Sequence, residues 1–503
     1  MYSFFFIQFI KFSLFDSYFC ICLRHNSSLM NTPTSHTACP DCHGLGKQNR
    51  GLSKRAKQRY QKALEVYQRF PDNPKPVKPK AHLPVCPTCS GSGLLPASQP
   101  PKPDTTRFPH LAIIGGGIGG TALAVACLHR GIPFTLYERD ADFDTRAQGY
   151  GLTLQQAHTA VKGFGIDTLE QGIVSTRHIA HTPDGTVLGE WGMRKWDTQT
   201  NVTPKRTNIH IARQNLRSAL LNQLSGADAI RWGHQLSRFN QTETGIQLKF
   251  DTQVNTTIAY ADLLVGADGI RSSVRDLLFE QEPYPLRYLD CIVILGICAL
   301  SHLQNAAQEL LDQKTVFQTA NGNERMYMMP YDPEHMMWQF SYPLAEAEAK
   351  SLSAQGAEAL KKEVQKRTNW HAPIPQIIEA TPAALISGYP VYDRELLRPL
   401  DFASCGPVTL LGDAAHPMSP FKGQGANQAL LDALALVRRI TKVCKPNTSW
   451  KGTNLRKKIL TPFETEMLKR SATKVEASAK AARVLHSDQV LQERDGPRGG
   501  GRQ

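Results

Sequence analysis

The chain has 503 residues, 41% of them hydrophobic and 20% charged, and a formal net charge of +14. Its length exceeds one ordinary domain, and its composition excludes a wholly disordered or multi-spanning protein. Residues 1–109 hold 15 Lys and Arg against 5 Asp and Glu, so +10 of the charge lies there and the rest of the chain carries no strong field for nucleic acid.

Residues 1–29 are rich in Phe, Ile and Leu, but Lys11 and Asp16 interrupt them and no run of 18 apolar residues occurs, which argues against a membrane span. Met30 opens a polar stretch, so translation is expected to start there, leaving 1–29 as a doubtful leader. Two segments then repeat one pattern, CxxCxGxG: Cys39-Pro40-Asp41-Cys42-His43-Gly44-Leu45-Gly46 and Cys86-Pro87-Thr88-Cys89-Ser90-Gly91-Ser92-Gly93. Four thiolates at these spacings suit a structural, tetrahedral Zn²⁺, and the glycines let backbone N–H groups turn toward sulfur. His43 is a spare ligand, and a redox dithiol is the competing reading. The paired motif resembles the zinc region of J-protein chaperones, which carry four such motifs where this chain carries two. The other seven cysteines have no framework spacing, which favours a reducing, cytoplasmic setting. We therefore expect a zinc module at 30–95 containing one exposed basic helix over Leu52–Phe70. A semi-rigid Pro-rich linker at 96–109 should separate it from the main domain.

From His110 the pattern becomes that of an α/β nucleotide-binding domain. Leu111–Ile114 form a short apolar strand running into Gly115-Gly116-Gly117-Ile118-Gly119-Gly120 and a helix to Arg130. In this GxGxxG, Gly115 permits the tight turn, Gly117 lets the backbone approach a pyrophosphate, Gly120 lets helix and strand pack closely, and Ile118 begins the helix. Pro133–Tyr137 supply the second strand, and Glu138, 18 residues after Gly120 and followed by Arg139, stands where a carboxylate binds a ribose. That carboxylate repels a 2′-phosphate, so the site should take the adenosine of FAD or NAD. Ala261–Val265 is a buried-type strand leading to Asp268-Gly269, and Val408–Leu411 leads to Gly412-Asp413-Ala414-Ala415-His416-Pro417 and then Pro420-Phe421-Lys422-Gly423-Gln424-Gly425-Ala426-Asn427. Met326–Met329 and Met336–Tyr342 read as paired strands. The methionines around them are more often core than pocket lining. Helical spacing returns over Ala429–Val443 and Leu460–Val490, and 491–503 reads as a disordered tail.

With these three segments in order, the chain resembles the aromatic-ring hydroxylase family of FAD monooxygenases from about His110 to Val490. The resemblance implies an α/β fold: a Rossmann-like FAD-binding domain at 110–182, 205–284 and 396–445, and an inserted β-sheet substrate domain at 183–204 and 285–395. C-terminal helices would follow at 446–490. It implies that Asp413 holds the ribityl and ribose region, that the backbone from Pro420 to Asn427 wraps the isoalloxazine, and that Arg213 contacts FAD. Arg146 would line the flavin pocket, and Asp268 and Gly269 would serve FAD and the nicotinamide. It also implies a reaction in which NAD(P)H reduces the flavin, O₂ forms a flavin hydroperoxide, and a small organic substrate, aromatic or polycyclic, is hydroxylated. His416 is given no proton chemistry.

Two other readings remain open. In one, the zinc module and basic helix bind RNA or a protein partner and the flavin fold is secondary, although Tyr60, Tyr67 and Phe70 are few for base stacking. In the other, FAD serves another oxidation. The WxWxIP pattern of flavin halogenases is absent, since no two of the six Trp are two residues apart.

Overall fold

The computed structural model describes residues 35–48, 51–79, 83–146, 149–193, 208–224, 229–279, 284–303 and 308–497. Met30 and the leader lie outside them. Strands Ser35–Ala38 and Leu94–Ala97 pair antiparallel, with Ser35 opposite Ala97, and so bring the two cysteine knuckles together. Between the knuckles runs α1 (Lys54–Arg69), started by Ser53, whose hydroxyl accepts from the Ala56 N–H at 3.2 Å, and burying none of its residues. The exposed basic helix is thus where the sequence puts it.

The linker differs from its expected role as a spacer. Arg107 Nε donates to the Cys444 carbonyl and the Trp450 indole N–H to the Thr105 carbonyl, each at 3.1 Å, and Phe108 is buried. Prolines remove backbone donors but leave side chains and carbonyls free to dock, so this segment lies on the main domain.

A five-stranded parallel sheet carries the Gly-rich turn, in the order Ile230–Arg231, Phe134–Tyr137, Leu111–Ile114, Leu263–Gly266 and Val408–Leu410. All of Leu111–Ile114 is buried, as a central parallel strand covered on both faces requires. α2 (Ile118–Leu128) is apolar all round and buried from Ile118 to Cys127, the mark of a core helix. α3 (Arg213–Leu221) and α4 (Ser273–Leu278) follow later strands of the same domain.

The second sheet has seven strands, in the order Ile386–Asp393, Arg287–Ala299, His335–Pro343, Arg325–Asp332, Thr315–Ala320, Arg177–His181 and Val187–Trp191. Arg177–His181 pairs in parallel with Thr315–Ala320, so this sheet begins at Arg177, ahead of the boundary drawn at 183. Strand alternation gives it two faces. Met326, Met328, Met336, Trp338 and Phe340 lie in an apolar core with α5 (Glu346–Ala354), α6 (Ala357–Arg367) and α7 (Ile374–Ala380). Met329 and Met337 lie on the other face with Val316, Tyr327 and Tyr331. α8 (Gly425–Val443) and α9 (Thr461–Leu485) return to the first domain. The expected tail is ordered at its start: the Arg494 N–H donates to the Leu188 carbonyl and the Glu190 N–H to Asp495, both at 3.0 Å, because an edge strand offers unpaired backbone groups. Residues 498–503 lie outside the described residues.

The glycines of the turn answer to different constraints. A Cβ on Gly120 would sit 1.9 Å from the Gly115 carbonyl oxygen, whereas one on Gly117 meets nothing nearer than Arg213 Nη2 at 3.8 Å. Gly120→Ala should therefore destabilise the fold by ~1–3 kcal/mol, as overpacking against unyielding backbone does. Gly117→Ala should leave the melting temperature within about 2 °C. Thermal unfolding of the two variants side by side checks this.

Candidate active site and four-cysteine centre

The N-terminus of α2 begins at Gly117 and that of α8 at Gln424, and neither helix has a side-chain cap. Both first turns therefore present N–H groups and positive dipole ends that suit an anion. Between them runs a continuous line of candidate residues. Arg213 Nη2 lies 3.8 Å from the Cβ position of Gly117. Arg213 in turn couples electrostatically to Asp413, whose Oδ1 is 3.4 Å from the Cβ position of Gly425. Burial pushes the Asp413 carboxyl above its ordinary range, with His416 and Arg213 opposing the rise. Pro420–Lys422 form one 3₁₀ turn and Gly423, at φ +57°, reverses the chain into α8 beside Thr153, where Ala426 lies in the first turn. Two uncapped helix N-termini with an arginine and a carboxylate between them form a donor set that fits FAD.

Several predicted residues act on the protein itself. Glu138 accepts from the Gly116 N–H at 2.6 Å and so fixes the turn, while Arg139 beside it is exposed. Asn427, expected to offer its backbone, spends its side chain within the protein: its Oδ1 accepts from the Gln155 and Ala157 N–H groups at 2.9 and 3.1 Å, and its Nδ2 donates to the Thr153 and Gly423 carbonyls, both at 2.8 Å. With both amide hydrogens and the oxygen engaged, the side chain braces the loop and only its backbone is left for a ligand. Asp268 likewise accepts from the Val274 N–H at 3.1 Å and from Ser272, capping α4, and burial raises its pKa. Gly269, at φ +84°, has nothing within 4 Å of its Cβ position. Arg146 closes a short 3₁₀ turn, and its side chain lies outside the described residues.

A second group of residues, silent in the sequence, holds the cradle. Asp432 on α8 is fully buried and accepts from the Gly412 N–H at 2.9 Å, from His416 Nε2 at 2.7 Å and from Arg470 Nη2 of α9 at 2.7 Å. His416 therefore positions the Asp413 turn. Although burial opposes it, His416 and Arg470 hold the Asp432 carboxyl below its usual range. Arg217 Nε donates to the Gly116 carbonyl at 2.7 Å, and the buried Arg275 donates to the Ala414 and Ala415 carbonyls at 3.2 and 3.3 Å. Buried charges paired with acceptors from distant segments carry no local pattern, which is why only the network reveals them.

Over the Pro420–Asn427 loop lies the second face of the large sheet. Phe421 packs with Cys291, Val293, Val391 and Tyr389, and Met337 Sδ accepts from the Gly151 N–H at 3.0 Å. Arg325, buried on this face, donates to Gln318 at 2.9 Å and lies 4.7 Å from the Tyr327 ring centroid.

The four predicted cysteines come together. Cys39 Sγ is 4.0 Å from Cys86 Sγ, Cys42 Sγ is 3.7 Å from Cys89 Sγ, and all four sulfurs lie within 4.8 Å of one another. A tetrahedron with metal–sulfur bonds of ~2.3 Å has edges of ~3.8 Å. The Gly46 and Gly93 N–H groups each donate to a sulfur, of Cys42 and Cys89 respectively, at 3.2 Å. His43 sits at φ +50° in its knuckle and is not needed as a fifth ligand.

A parallel nucleotide-binding sheet with a Gly-rich turn, together with an antiparallel-rich sheet packed against the loop before a second helix start, is the architecture of a flavoprotein. Residues 109–452 match the family described as "FAD binding domain", and the chain belongs to that family. The aurachin C monooxygenase/isomerase of Stigmatella aurantiaca is 32% identical over 329 residues, 65% of this chain and 79% of that protein. The phenazine 1,6-dicarboxylic acid hydroxylase of Lysobacter antibioticus is 28% identical over 351 residues, 66% of this chain and 82% of that protein. The crystal structure of Klebsiella pneumoniae HpxO with FAD and uric acid has a TM-score of 0.62 at 21% identity, covering 77% of this chain and 93% of that one, and shares the fold. The protein is an FAD-dependent monooxygenase. Among the described residues, no helix is long and apolar enough to cross a membrane.

Removing one partner of the Asp432 network should be costly, because it leaves a buried charge. Arg470→Leu is expected to lose ~3–5 kcal/mol in denaturant unfolding. Because the folded pKa of Asp432 is depressed, its contribution is complete above the unfolded carboxyl pKa of about 4 and is lost as pH falls below it. Asp432→Asn should therefore lower stability at pH 7 and flatten the acid limb of the stability profile.

Proposed function

We propose that the protein hydroxylates an aromatic or polycyclic organic substrate, taking reducing equivalents from NAD(P)H and oxygen from O₂. The observation that carries this reading is the apolar and aromatic sheet face of Val293, Tyr327, Met329, Met337 and Tyr389 set over the Pro420–Asn427 loop. Flat, electron-rich rings suit such a wall, and the phenazine hydroxylase among its relatives is named for an aromatic acid.

In this reading, Gly115, Gly117, Ile118 and Gly120 receive the pyrophosphate at the α2 N-terminus, and Glu138 with Arg139 receives the adenosine side. Arg213 and Asp413 hold the ribityl chain, Arg146 and Gly269 flank the flavin pocket, and Pro420, Gly423, Gly425, Ala426 and Asn427 offer main chain to the ring. Bound FAD supplies hydride acceptance and oxygen activation. The N–H groups and dipole at the start of α8 stabilise negative charge on the reduced ring. The Met and Tyr face orients the substrate and excludes water. Arg325 and Lys422 make that wall positive, which favours substrates bearing a phenolate or carboxylate.

We further infer that Cys39, Cys42, Cys86 and Cys89 hold one structural Zn²⁺, a reading supported by sulfur spacings that match a tetrahedron and not a disulfide.

The purified protein should be yellow with about one FAD per chain. Gly117→Val and Asp413→Ala should fold but copurify with little flavin, and full occupancy in both would overturn the residue assignment. NAD(P)H oxidation should be slow alone and accelerate with a true substrate among phenols, quinone precursors and polycyclic phenols, with ¹⁸O from labelled O₂ entering the product. Label arriving from water instead would refute oxygen insertion. Metal analysis of protein purified under reducing conditions should give about one zinc per chain.

A further inference from the structure

We propose that the four-cysteine centre is a charge-balanced lock on the cofactor domain, in which Arg130 and Arg438 neutralise a dianionic metal tetrathiolate and thereby tie metal occupancy to FAD retention. The proposal rests on the reading of the centre as a divalent metal site.

The placement comes first. α2 and α8 are the two helices whose N-termini form the cofactor cradle, and the cysteine module sits on their far portions. Arg130 lies just past the end of α2, and Arg438 lies in the last turns of α8. Arg130 Nη2 donates to the Gly44 carbonyl at 3.2 Å, and Arg438 Nη2 donates to the Gly91 and Ser92 carbonyls at 3.3 and 3.4 Å. Each arginine thus grips a different knuckle.

The glycines of the CxxCxGxG motif make this approach possible. A Cβ on Gly44 would lie 3.2 Å from Arg130 Nε, and one on Gly46 would lie 3.1 Å from Arg438 Nη2 and 2.2 Å from the Gly91 carbonyl oxygen. A zinc knuckle alone needs its glycines to turn N–H groups toward sulfur. Here they also open space for two cations.

The charge count then decides what the sulfurs must be. Arg130 is buried and Arg438 half-buried, the two lie near each other, each has a buried Nε–H with no hydrogen-bond partner, and among the described residues no carboxylate pairs with either. Cys42 and Cys89 are the acidic groups that reach both. Four neutral thiols or two disulfides would leave two like charges, one of them buried and the other half-buried, with no anion beside them, an unfavourable arrangement where water is scarce. Four thiolates around one divalent cation carry a charge of −2, which the two arginines cancel.

Outer-sphere partners of metal ligands typically contribute 10–100-fold to affinity. Arg438→Gln and Arg130→Gln should each weaken Co²⁺ binding by about that factor, read as chelator competition against the thiolate charge-transfer absorption of the Co²⁺-loaded protein. Arg438→Lys, which keeps the charge, should recover part of the loss. Stripping metal from the unmutated holoprotein should lower its melting temperature and speed FAD release. In metal-free protein the sign should reverse, with Arg438→Gln melting higher than wild type because it removes a half-buried cation that no anion then compensates. A merely packing role for the arginine predicts no such reversal. If the arginine variants bind Co²⁺ as tightly as wild type, or if metal removal leaves melting and FAD release unchanged, the lock is refuted while the metal site stands. If wild type takes up neither zinc nor Co²⁺, the metal reading itself falls and the lock with it.

Discussion

The close approach of α2 to α8 is the constraint on which the rest of the molecule depends. A Cβ on Gly119 would lie 2.7 Å from Leu411 Cδ1 and 3.4 Å from Ala429 Cβ, and a Cβ on Gly412 would lie 3.1 Å from Ala429 Cβ. Small residues on both sides set the helices at a short separation, and that separation aims two positive helix ends along one cradle. Asp432, inside the same interface, takes the Gly412 N–H, so the turn that presents Asp413 is positioned by α8 and not by its own strand. Cofactor geometry and core packing are therefore one problem, and a substitution that widens this interface reaches the cradle without touching it.

The large sheet solves a second problem, how one strand can serve a core and a site. In Arg325–Asp332 the residues Met326 and Met328 enter the apolar core under α5–α7, while Tyr327 and Met329 turn toward the loop over the cradle. Period-two alternation does this without any bulge in the central residues, and the unbranched thioether fits both settings. The methionines thus divide between core and wall, which a count of Met in the sequence cannot resolve.

Much of this was legible in the chain because the chemistry is contiguous. The GxGxxG turn, the Gly412–Pro417 segment and the Gly423–Asn427 loop each carry strand, turn and helix start within a few residues, so local pattern suffices. The two CxxCxGxG segments are legible for the same reason, and the sulfurs meet. Asp432, Arg470, Arg217 and Arg275 look like ordinary helical charges until a partner tens or hundreds of residues away is brought beside them. The bracing role of the Asn427 side chain, spent on four protein hydrogen bonds, was equally silent, since the loop pattern speaks only for its backbone. The linker misled through composition, since a run of prolines says that the backbone is stiff and nothing about whether it docks.

The docking of the module at a helix C-terminus sets an electrostatic condition on the four-cysteine centre under the zinc reading. The C-terminal end of α2 carries partial negative charge, so a metal tetrathiolate placed there would be repelled by the helix itself. Arg130 stands between them, donating through Nη1 to the Ala126 carbonyl of the last turn at 3.1 Å and through Nη2 to the Gly44 carbonyl of the module at 3.2 Å. One guanidinium thus satisfies an orphan carbonyl of the helix and a carbonyl of the cysteine module at once. The same helix therefore offers its positive end to a pyrophosphate and has its negative end covered before the cysteine centre meets it. Arg438 adds the second positive charge from α8. The module is thus held to the ends of both helices by hydrogen bonds from two arginines to the Gly44, Gly91 and Ser92 carbonyls.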